Sequence, residues 1–185
     1  MGSSFDPPHK GHYQIVSHVL SKNIFDEVWL VPAKIHAFDK SLSDENHRLE
    51  MLKLFIHDFK KKPIKIETYE LEKKSTSYSY ETLSHFARKQ PLDKFSWIIG
   101  SDNLANFPKW NKYLELLQRF TVYVYPRPNY PMKHLQKGMI PLKKVKEKNI
   151  SSTEIRAMAK DGKDITDLVG LQVAKYINLH KLYKN

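Results

Sequence analysis

The stretch that decides the fold lies at the start of the chain and reads Gly2-Ser3-Ser4-Phe5-Asp6-Pro7-Pro8-His9-Lys10-Gly11-His12. A Pro-Pro pair cannot lie inside a helix or a central strand, so this stretch contains a turn. From Gly11 onward the apolar residues recur at helical spacing, as Ile15, Val16, Val19 and Leu20. We therefore expect a loop of small residues that leads directly into a helix.

The chemistry of this loop and helix start is suited to phosphate. Small residues at positions 2–4 let the backbone approach a ligand and offer N–H and hydroxyl donors. His9 and His12 are three residues apart, so they share one side of the first helical turn, where free N–H groups attract anions. The plainer interpretations are a surface histidine, a helix cap, or an expression tag beginning Met-Gly-Ser-Ser. The coherent pattern from Phe5 to His12 favours the phosphate loop.

Composition limits the class of protein. The chain has 185 residues, of which 41% are hydrophobic and 28% charged, which predicts one soluble globular domain spanning residues 1–185. No apolar run approaches the roughly 20 residues that span a bilayer, and we expect no signal peptide and no membrane partner. Cysteine is absent, which excludes disulfides, thiolate chemistry and cysteine-based metal sites. These features are compatible with a cytoplasmic location.

The formal net charge of +11 attracts polyanions, which are either nucleic acid or small phosphate esters. The densest basic run, residues 143–148, is interpreted as a solvated lysine-rich loop. Neither a GxGxxG dinucleotide fingerprint nor a GxxxxGK[ST] phosphate loop occurs. Any nucleotide site therefore has to be built differently.

The periodicity along the chain predicts an α/β fold. Apolar or alternating runs predict strands at 26–32, 63–68, 95–99, 121–125 and 139–142. Helical spacing predicts helices at 44–59, 79–89 and 109–118, one that begins at Ser151, and a last one after Gly162. This alternation indicates a doubly wound parallel sheet covered on both faces. Ligands of such sheets lie at the carboxyl ends of the strands, where Gly100-Ser101-Asp102-Asn103 follows the strand 95–99.

A second anion site is predicted at Ile150-Ser151-Ser152-Thr153-Glu154-Ile155-Arg156. Ser151 and Glu154 have the spacing of a capping box, which would start a helix with the amides of Ser152 and Thr153 exposed at its positive end. Arg156 adds a guanidinium suited to bidentate phosphate contact. The alternative is an ordinary helix cap followed by a surface arginine.

Taken together, these motifs resemble the HxGH-type nucleotidyltransferases, and within them the bacterial nicotinate-nucleotide adenylyltransferases. The family's GG[ST]FDPxHxGH corresponds to residues 2–12, and its ISSTxIR is complete at residues 150–156. Its SYTxDTL block is similar to residues 77–83, its IIGxDN block to residues 97–103 with Phe107 and Trp110, and its RP to Arg127-Pro128. The resemblance covers nearly the whole chain, in the family's order.

The resemblance implies a Rossmann-like fold and a reaction in which ATP, with Mg²⁺, and nicotinate mononucleotide give deamido-NAD and pyrophosphate. By this resemblance His12 donates to the α-phosphate, and His9 orients phosphates beside it. No nucleic-acid partner and no metal ligand from the protein are implied, and the oligomeric state stays open.

The remaining implied contacts fall into two groups. ATP is expected to contact the amides of the first loop, the start of the Ser151 helix and the turn after the strand 95–99: Ser3, Ser4, Phe5, Ser152, Thr153, Arg156, Asp102 and Gly100. The mononucleotide is expected to contact Ser79, Thr82, Trp110 and Arg127, with Lys34, Lys40 and Arg48 as weaker phosphate-binding candidates. The alternatives are a core position for Trp110, a helix cap for Asp102 and plain surface charges for Lys34, Lys40 and Arg48.

The chain departs from the family pattern in two places. Only Met1 precedes Gly2, so we expect the sheet to lack its usual first strand. Such a loss would cost several kcal/mol out of a typical total of ~5–15. The family often has PPHK after the second strand, where this chain has Pro32-Ala33-Lys34-Ile35-His36. This second difference leaves the preference between the acid and the amide mononucleotide open. The alternatives within the enzyme class are adenylyltransferases for nicotinamide mononucleotide or phosphopantetheine. His9 argues against the latter, and a basic nucleic-acid-binding module is a further alternative.

Overall fold

The computed structural model describes residues 1–34, 42–57, 59, 62–143, 145 and 150–184. Lys40 and most of the basic run 143–148 lie outside these residues. The strands are β1 (Gly2–Ser3), β2 (Val28–Pro32), β3 (Ile64–Ile66), β4 (Ser96–Gly100), β5 (Thr121–Tyr125) and β6 (Met139–Pro141).

All strand pairings are parallel, in two three-stranded sheets of order β1-β2-β3 and β4-β5-β6. Strand β1 also lies against β4, so the two sheets meet where the strand order reverses. This reversal is the point at which a doubly wound sheet binds its ligand. The predicted α/β fold with a parallel sheet is confirmed.

The helices cover the sheets and connect the strands. They are α1 (Lys10–Ser21), α2 (Glu45–His57), α3 (Tyr69–Glu72), α4 (Ser79–Lys89), α5 (Tyr113–Arg119), α6 (Ser152–Lys160), α7 (Thr166–Val169) and α8 (Leu171–Leu179), with 3₁₀ segments at Ser101–Lys109 and Met132–His134. The last predicted helix is in fact two helices, because Gly170 adopts a φ of +88° between them. The predicted helix 109–118 begins only at Tyr113, after the first 3₁₀ segment. Helix α3 was not predicted.

The core has two apolar clusters, one on each face of the sheet. Leu30 of β2 packs in the first cluster with Met51 and Ile177. The next residue, Val31, packs in the second cluster with Phe107. Successive strand residues point to opposite faces, so β2 is buried on both sides, as its continuous apolar run predicts.

The first strand is very short. The sequence led us to expect no strand here, but Gly2 pairs with Val31 and Ser3 pairs with Pro32. Gly2 has to be glycine, because a β-carbon there would lie 2.4 Å from the buried Trp97 ring. Beside Met1, a cavity of about 1020 Å³ separates β2 from β4.

Among the helices that the structure describes, none combines the length and apolar character needed to cross a membrane.

Candidate active site

A cavity of about 550 Å³ opens at the carboxyl ends of β1 and β4. Its walls come from the loop after β1, the first turn of α1, the segments after β4 and β5, and the start of α6. The structure brings together here most of the residues predicted from the sequence: Ser3, Ser4, His9, His12, Gly100, Asp102, Trp110, Arg127, Ser152, Thr153 and Arg156. The two predicted anion sites therefore face one space.

The two histidines form a capping box at the start of α1. The Gly11 N–H donates to His9 Nδ1 at 3.1 Å, and the His9 N–H donates to His12 Nδ1 at 3.2 Å. Because both Nδ1 atoms accept, each neutral ring carries its hydrogen on Nε2. His12 Nε2 lies 3.4 Å from Ser3 Oγ, at the end of β1. The capping bonds thus leave both Nε2–H groups for other partners.

Gly11 is required by this arrangement. The His9 ring folds back over the helix start, and a β-carbon at position 11 would lie 2.9 Å from two of its atoms. The His9 ring is itself buried and cannot move aside freely. The glycine of the HxGH pattern therefore makes room for the cap.

Burial keeps both imidazoles neutral. Burial, with a smaller contribution from the nearby Arg127 charge, lowers the pKa of His9 to about 3. Burial also lowers the pKa of His12 well below its usual value, with His9 and Arg127 as smaller causes. The two ring centroids are 3.9 Å apart, which also disfavours two charges. At neutral pH the pair therefore offers uncharged N–H donors.

The start of α6 has the predicted capping box. The Glu154 N–H donates to Ser151 Oγ at 3.2 Å, and the Ser151 N–H donates to Glu154 Oε2 at 3.2 Å. This reciprocal cap satisfies the first and the fourth amides of the turn. The amides of Ser152 and Thr153 lie between them, without an intrahelical acceptor, at the positive end of the helix.

Helix α6 is tied to the first loop by two hydrogen bonds. Ser152 Oγ donates to the Pro7 carbonyl at 3.0 Å, and Arg156 Nη1 donates to the Asp6 carbonyl at 2.7 Å. Arg156 Nη2 lies 3.3 Å from Thr153 Oγ1. The guanidinium is thereby oriented at the cavity wall while part of its donor set remains for a ligand.

Three polar side chains converge over the bare Cα of Gly100. A β-carbon there would lie 2.2 Å from Asp102 Oδ1, 3.0 Å from Tyr125 Cζ and 3.1 Å from Arg127 Cγ. Burial, with a smaller contribution from Asp102, raises the pKa of Tyr125 to about 12, so its hydroxyl stays protonated. Arg127 Nη1 donates to the Ile150 carbonyl at 3.2 Å, which links this corner to α6.

Residues 1–158 match the cytidylyltransferase-like family profile. The nicotinate-nucleotide adenylyltransferase of Bacillus subtilis is 34% identical over 100% of this chain and 96% of its own length. The chain belongs to the nicotinate-nucleotide adenylyltransferase family. A probable family member from Methylacidiphilum infernorum is 33% identical over 98% of this chain and 89% of its own length.

A solved structure supports this family assignment. The Plasmodium falciparum nicotinic acid mononucleotide adenylyltransferase complexed with NaAD has a TM-score of 0.82 and 25% identity, and the match covers 98% of this chain and 94% of that one. The chain is thus an enzyme of a transferase family by sequence and by fold.

Three other residues implied by the family resemblance are absent from the lining that the described residues form. Thr82 is fully buried, and its hydroxyl donates to Glu70 at 2.7 Å. Ser79 is the first residue of α4 and is absent from the described lining. Lys34 Nζ donates to the Leu71 carbonyl at 2.9 Å and lies 3.4 Å from Glu45 Oε2 of α2, so its charge is already paired within the protein. Lys40 lies outside the described residues.

Phe5 and Arg48 have buried side chains. The Phe5 ring is in the core, so only its backbone can serve a ligand. Arg48 is 1% exposed, although a surface charge was the alternative to a phosphate contact. It donates to the carbonyls of Ser43 at 2.9 Å, Ser4 at 3.0 Å and Ala33 at 2.6 Å. Arg48 therefore supports the loop beneath the cavity and does not line it.

Tyr125 and Tyr130 also line the cavity and were not predicted as site residues. Tyr125 could have been found, because it ends a predicted parallel strand, where ligands of this fold lie. Tyr130 lies in a loop with no periodic signal, and nothing in the sequence pointed to it.

Proposed function

We propose that this chain transfers the adenylyl group of ATP to nicotinate mononucleotide, giving deamido-NAD and pyrophosphate. One observation carries the proposal. Two helix starts with free donors, one at His9 and His12 and one at Ser152 and Thr153, face a single cavity that is also lined by Asp102 and Trp110. This arrangement suits a polyphosphate joined to a nucleoside. The relatives reported above are named as adenylyltransferases of the same mononucleotide.

The chemistry is a displacement at phosphorus. An oxygen of the mononucleotide phosphate bonds to the α-phosphorus of ATP, and the bond from that phosphorus to the oxygen that bridges the α- and β-phosphates breaks. The bridging oxygen leaves with the electron pair. Such transfers gain mostly from positioning and from neutralisation of charge, so no side-chain nucleophile is needed.

The phosphates are assigned to the donors on the two helix starts. His12 donates its Nε2–H to an oxygen of the α-phosphate as charge grows there, and His9 orients the neighbouring phosphate. The amides of Ser152 and Thr153, together with Arg156, hold the β- and γ-phosphates and then the leaving pyrophosphate.

The nucleoside parts are assigned to the β4 side of the cavity. Asp102 accepts hydrogen bonds from the ATP ribose hydroxyls, and the Tyr125 hydroxyl stands beside it as a donor. The Trp110 ring stacks on the pyridine ring. The indole N–H of Trp110 is buried without a hydrogen-bond partner among the described residues, so only the ring is assigned to the substrate.

Magnesium enters as part of the MgATP substrate. Within the described residues, no group of three His, Asp or Glu side chains is placed to hold a metal ion. Mg²⁺ is commonly bound by substrate phosphates and water, and we assign it to those ligands here. The protein's contribution is then to hold the phosphates themselves.

Pyrophosphate release tests the proposal. Purified protein is given MgATP with nicotinate mononucleotide or nicotinamide mononucleotide, and we expect the acid to give the higher kcat/KM. A higher value with the amide would reassign the acceptor. No release with either acceptor would refute the proposal.

The single-domain organisation, the cytoplasmic location and the lack of a nucleic-acid partner stay predictions. A nucleic-acid-binding role for the +11 charge predicts strongly salt-dependent DNA or RNA binding. Our proposal predicts that added DNA does not compete with ATP at 150 mM salt, a condition we choose for the assay.

A further inference from the structure

We propose that Tyr183 is a positioning residue that acts through Asp6 to set the place of the Arg156 guanidinium in the cavity. This inference rests on the proposed function, in which Arg156 binds the ATP phosphates. Tyr183 follows α8 and is not among the residues that line the cavity. Any effect on the substrate therefore has to pass through its partner.

Asp6 is a buried carboxylate with few hydrogen-bond partners among the residues that the structure describes. It is 1% exposed. The Tyr183 hydroxyl donates to Asp6 Oδ1 at 2.8 Å, and the Ser43 N–H donates to Asp6 Oδ2 at 3.0 Å. A buried carboxylate depends on such donors, since it cannot be solvated by water. Burial, with the nearby Asp6 charge, raises the pKa of Tyr183 well above its usual value, so the hydroxyl remains a donor.

Arg48 does not replace these donors. Its guanidinium is near enough to Asp6 for their charges to interact. Its hydrogen bonds, however, go to the carbonyls of Ser43, Ser4 and Ala33. Among the described residues, Tyr183 and the Ser43 amide are therefore the groups that fix the direction of the Asp6 carboxylate.

The other side of Asp6 holds the guanidinium. The Asp6 carbonyl accepts from Arg156 Nη1 at 2.7 Å, and the next carbonyl, that of Pro7, accepts from Ser152 Oγ at 3.0 Å. Asp6 thus accepts a hydrogen bond from Tyr183 at its carboxylate and one from Arg156 at its backbone carbonyl. A shift of the carboxylate would turn this peptide and displace the arginine from the phosphates.

The experiment uses two matched substitutions. Tyr183→Phe removes only the hydroxyl that binds Asp6. Tyr176→Phe makes the same change on α8, where the Tyr176 hydroxyl pairs with His47 Nδ1 at 2.9 Å, away from the cavity lining. Calorimetry gives the Kd of MgATP and of inorganic tripolyphosphate, and kinetics gives kcat and KM for both substrates.

We expect Tyr183→Phe to weaken ATP and tripolyphosphate binding about tenfold, as for one displaced charge-assisted contact. The KM for the mononucleotide should change less than about twofold, since Arg156 is assigned to ATP alone. Tyr176→Phe should leave both values unchanged. In an Arg156→Ala background, Tyr183→Phe should weaken ATP binding no further, because the two residues act as one unit.

A Tyr183→Phe protein that melts earlier but binds ATP as the wild type does would overturn the inference. An equal loss of ATP affinity with and without Arg156 would also overturn it. If Tyr183→Phe does not fold, Asp6→Asn is measured instead, with the same ATP-specific loss expected. A wild type that binds ATP but does not transfer to the mononucleotide refutes the proposed function, and the ATP-binding comparison still decides the role of Tyr183.

Discussion

His9 and His12 are imidazoles whose surroundings suit hydrogen bonding better than proton transfer. Their Nδ1 atoms are committed to backbone N–H groups, and burial holds both rings in the neutral form. A general base works best when its pKa lies near the working pH. Burial lowers the pKa of each ring well below its ordinary value, away from that range. The pair is therefore suited to donating fixed N–H groups to a developing negative charge.

Replacing His12 should affect the chemical step most. For His12→Ala we expect kcat to fall by roughly 10²–10⁴ with a modest change in KM, since the lost bond strengthens in the transition state. His18→Ala removes an imidazole from the same helix at a position away from the cavity lining and serves as the control. A near-normal kcat for His12→Ala would remove this residue from its role.

The tautomers can be observed directly. In NMR spectra that correlate ring nitrogens with ring protons, we expect His9 and His12 to show the neutral Nε2–H form from pH 8 down to about pH 5. A histidine in an unfolded chain titrates near pH 6.5. Titration of either ring close to that value would contradict the buried capping arrangement.

At the scale of elements, the loops around the cavity are held by side chains from neighbouring helices. Arg48 of α2 binds carbonyls from three segments: the loop after β1, the residue that follows β2 and the residue two before α2. The planar guanidinium has donors for several carbonyls at once, and an ammonium group has a different geometry. One buried side chain thus joins three pieces of chain that carry no regular structure.

Arg48→Lys should therefore be a severe change. We expect the free energy of unfolding to fall by about 2–4 kcal/mol, because buried carbonyls lose their donors and a buried charge loses its partners. Urea unfolding measures this, with Arg119→Lys as the control, since Arg119 makes an exposed bond to Ser84. Equal stabilities of the two variants would show that the arginine fork is not required.

The cap of α6 can be tested in the same way. Ser151→Ala should cost about 1 kcal/mol of stability and raise the KM for ATP, because the first turn loses its fixed amide geometry. Ser21→Ala, which removes an exposed hydroxyl bonded to the His18 carbonyl, should cost less. If the two substitutions prove equivalent in both measurements, the α6 cap has no special role.

For the whole molecule, the sequence was most informative where one local signal decided the structure. Periodicity placed α4 and β5 at their observed bounds, and spacing predicted the cap of α6. The split at Gly170 was missed because the apolar spacing continues across it. Tertiary contacts, which no local pattern encodes, decide the hydrogen-bond partners of three other groups: the Thr82 hydroxyl, the Arg48 guanidinium and the Asp6 carboxylate.

Acid should destabilise the whole fold through its buried histidines. The pKa of His9 is about 3 in the folded state and near 6.5 in the unfolded state, so below pH 6.5 the unfolded chain binds more protons. Stability is therefore complete above pH 6.5 and falls as the pH drops towards 3. For His9 alone the loss is on the order of 2–3 kcal/mol by pH 4.5.

The variant His9→Asn isolates this effect, since asparagine also caps helices but does not titrate. Unfolding free energies measured from pH 7 to 4.5 should fall less steeply for this variant than for the wild type. Glu70, whose pKa is raised by burial, contributes with the opposite sign but cancels in the comparison. Parallel curves for the two proteins would contradict the low pKa of His9.

The bonds between the first loop and the end of the chain have a consequence for folding. Ser152 and Pro7 are 145 residues apart, and Tyr183 and Asp6 are 177 apart. During synthesis, contacts at such separations cannot form until both segments of the chain have been made. A ribosome-bound chain that ends before α6 would have the histidine turn without its opposite wall. Nucleotide binding should therefore begin only when synthesis is nearly finished.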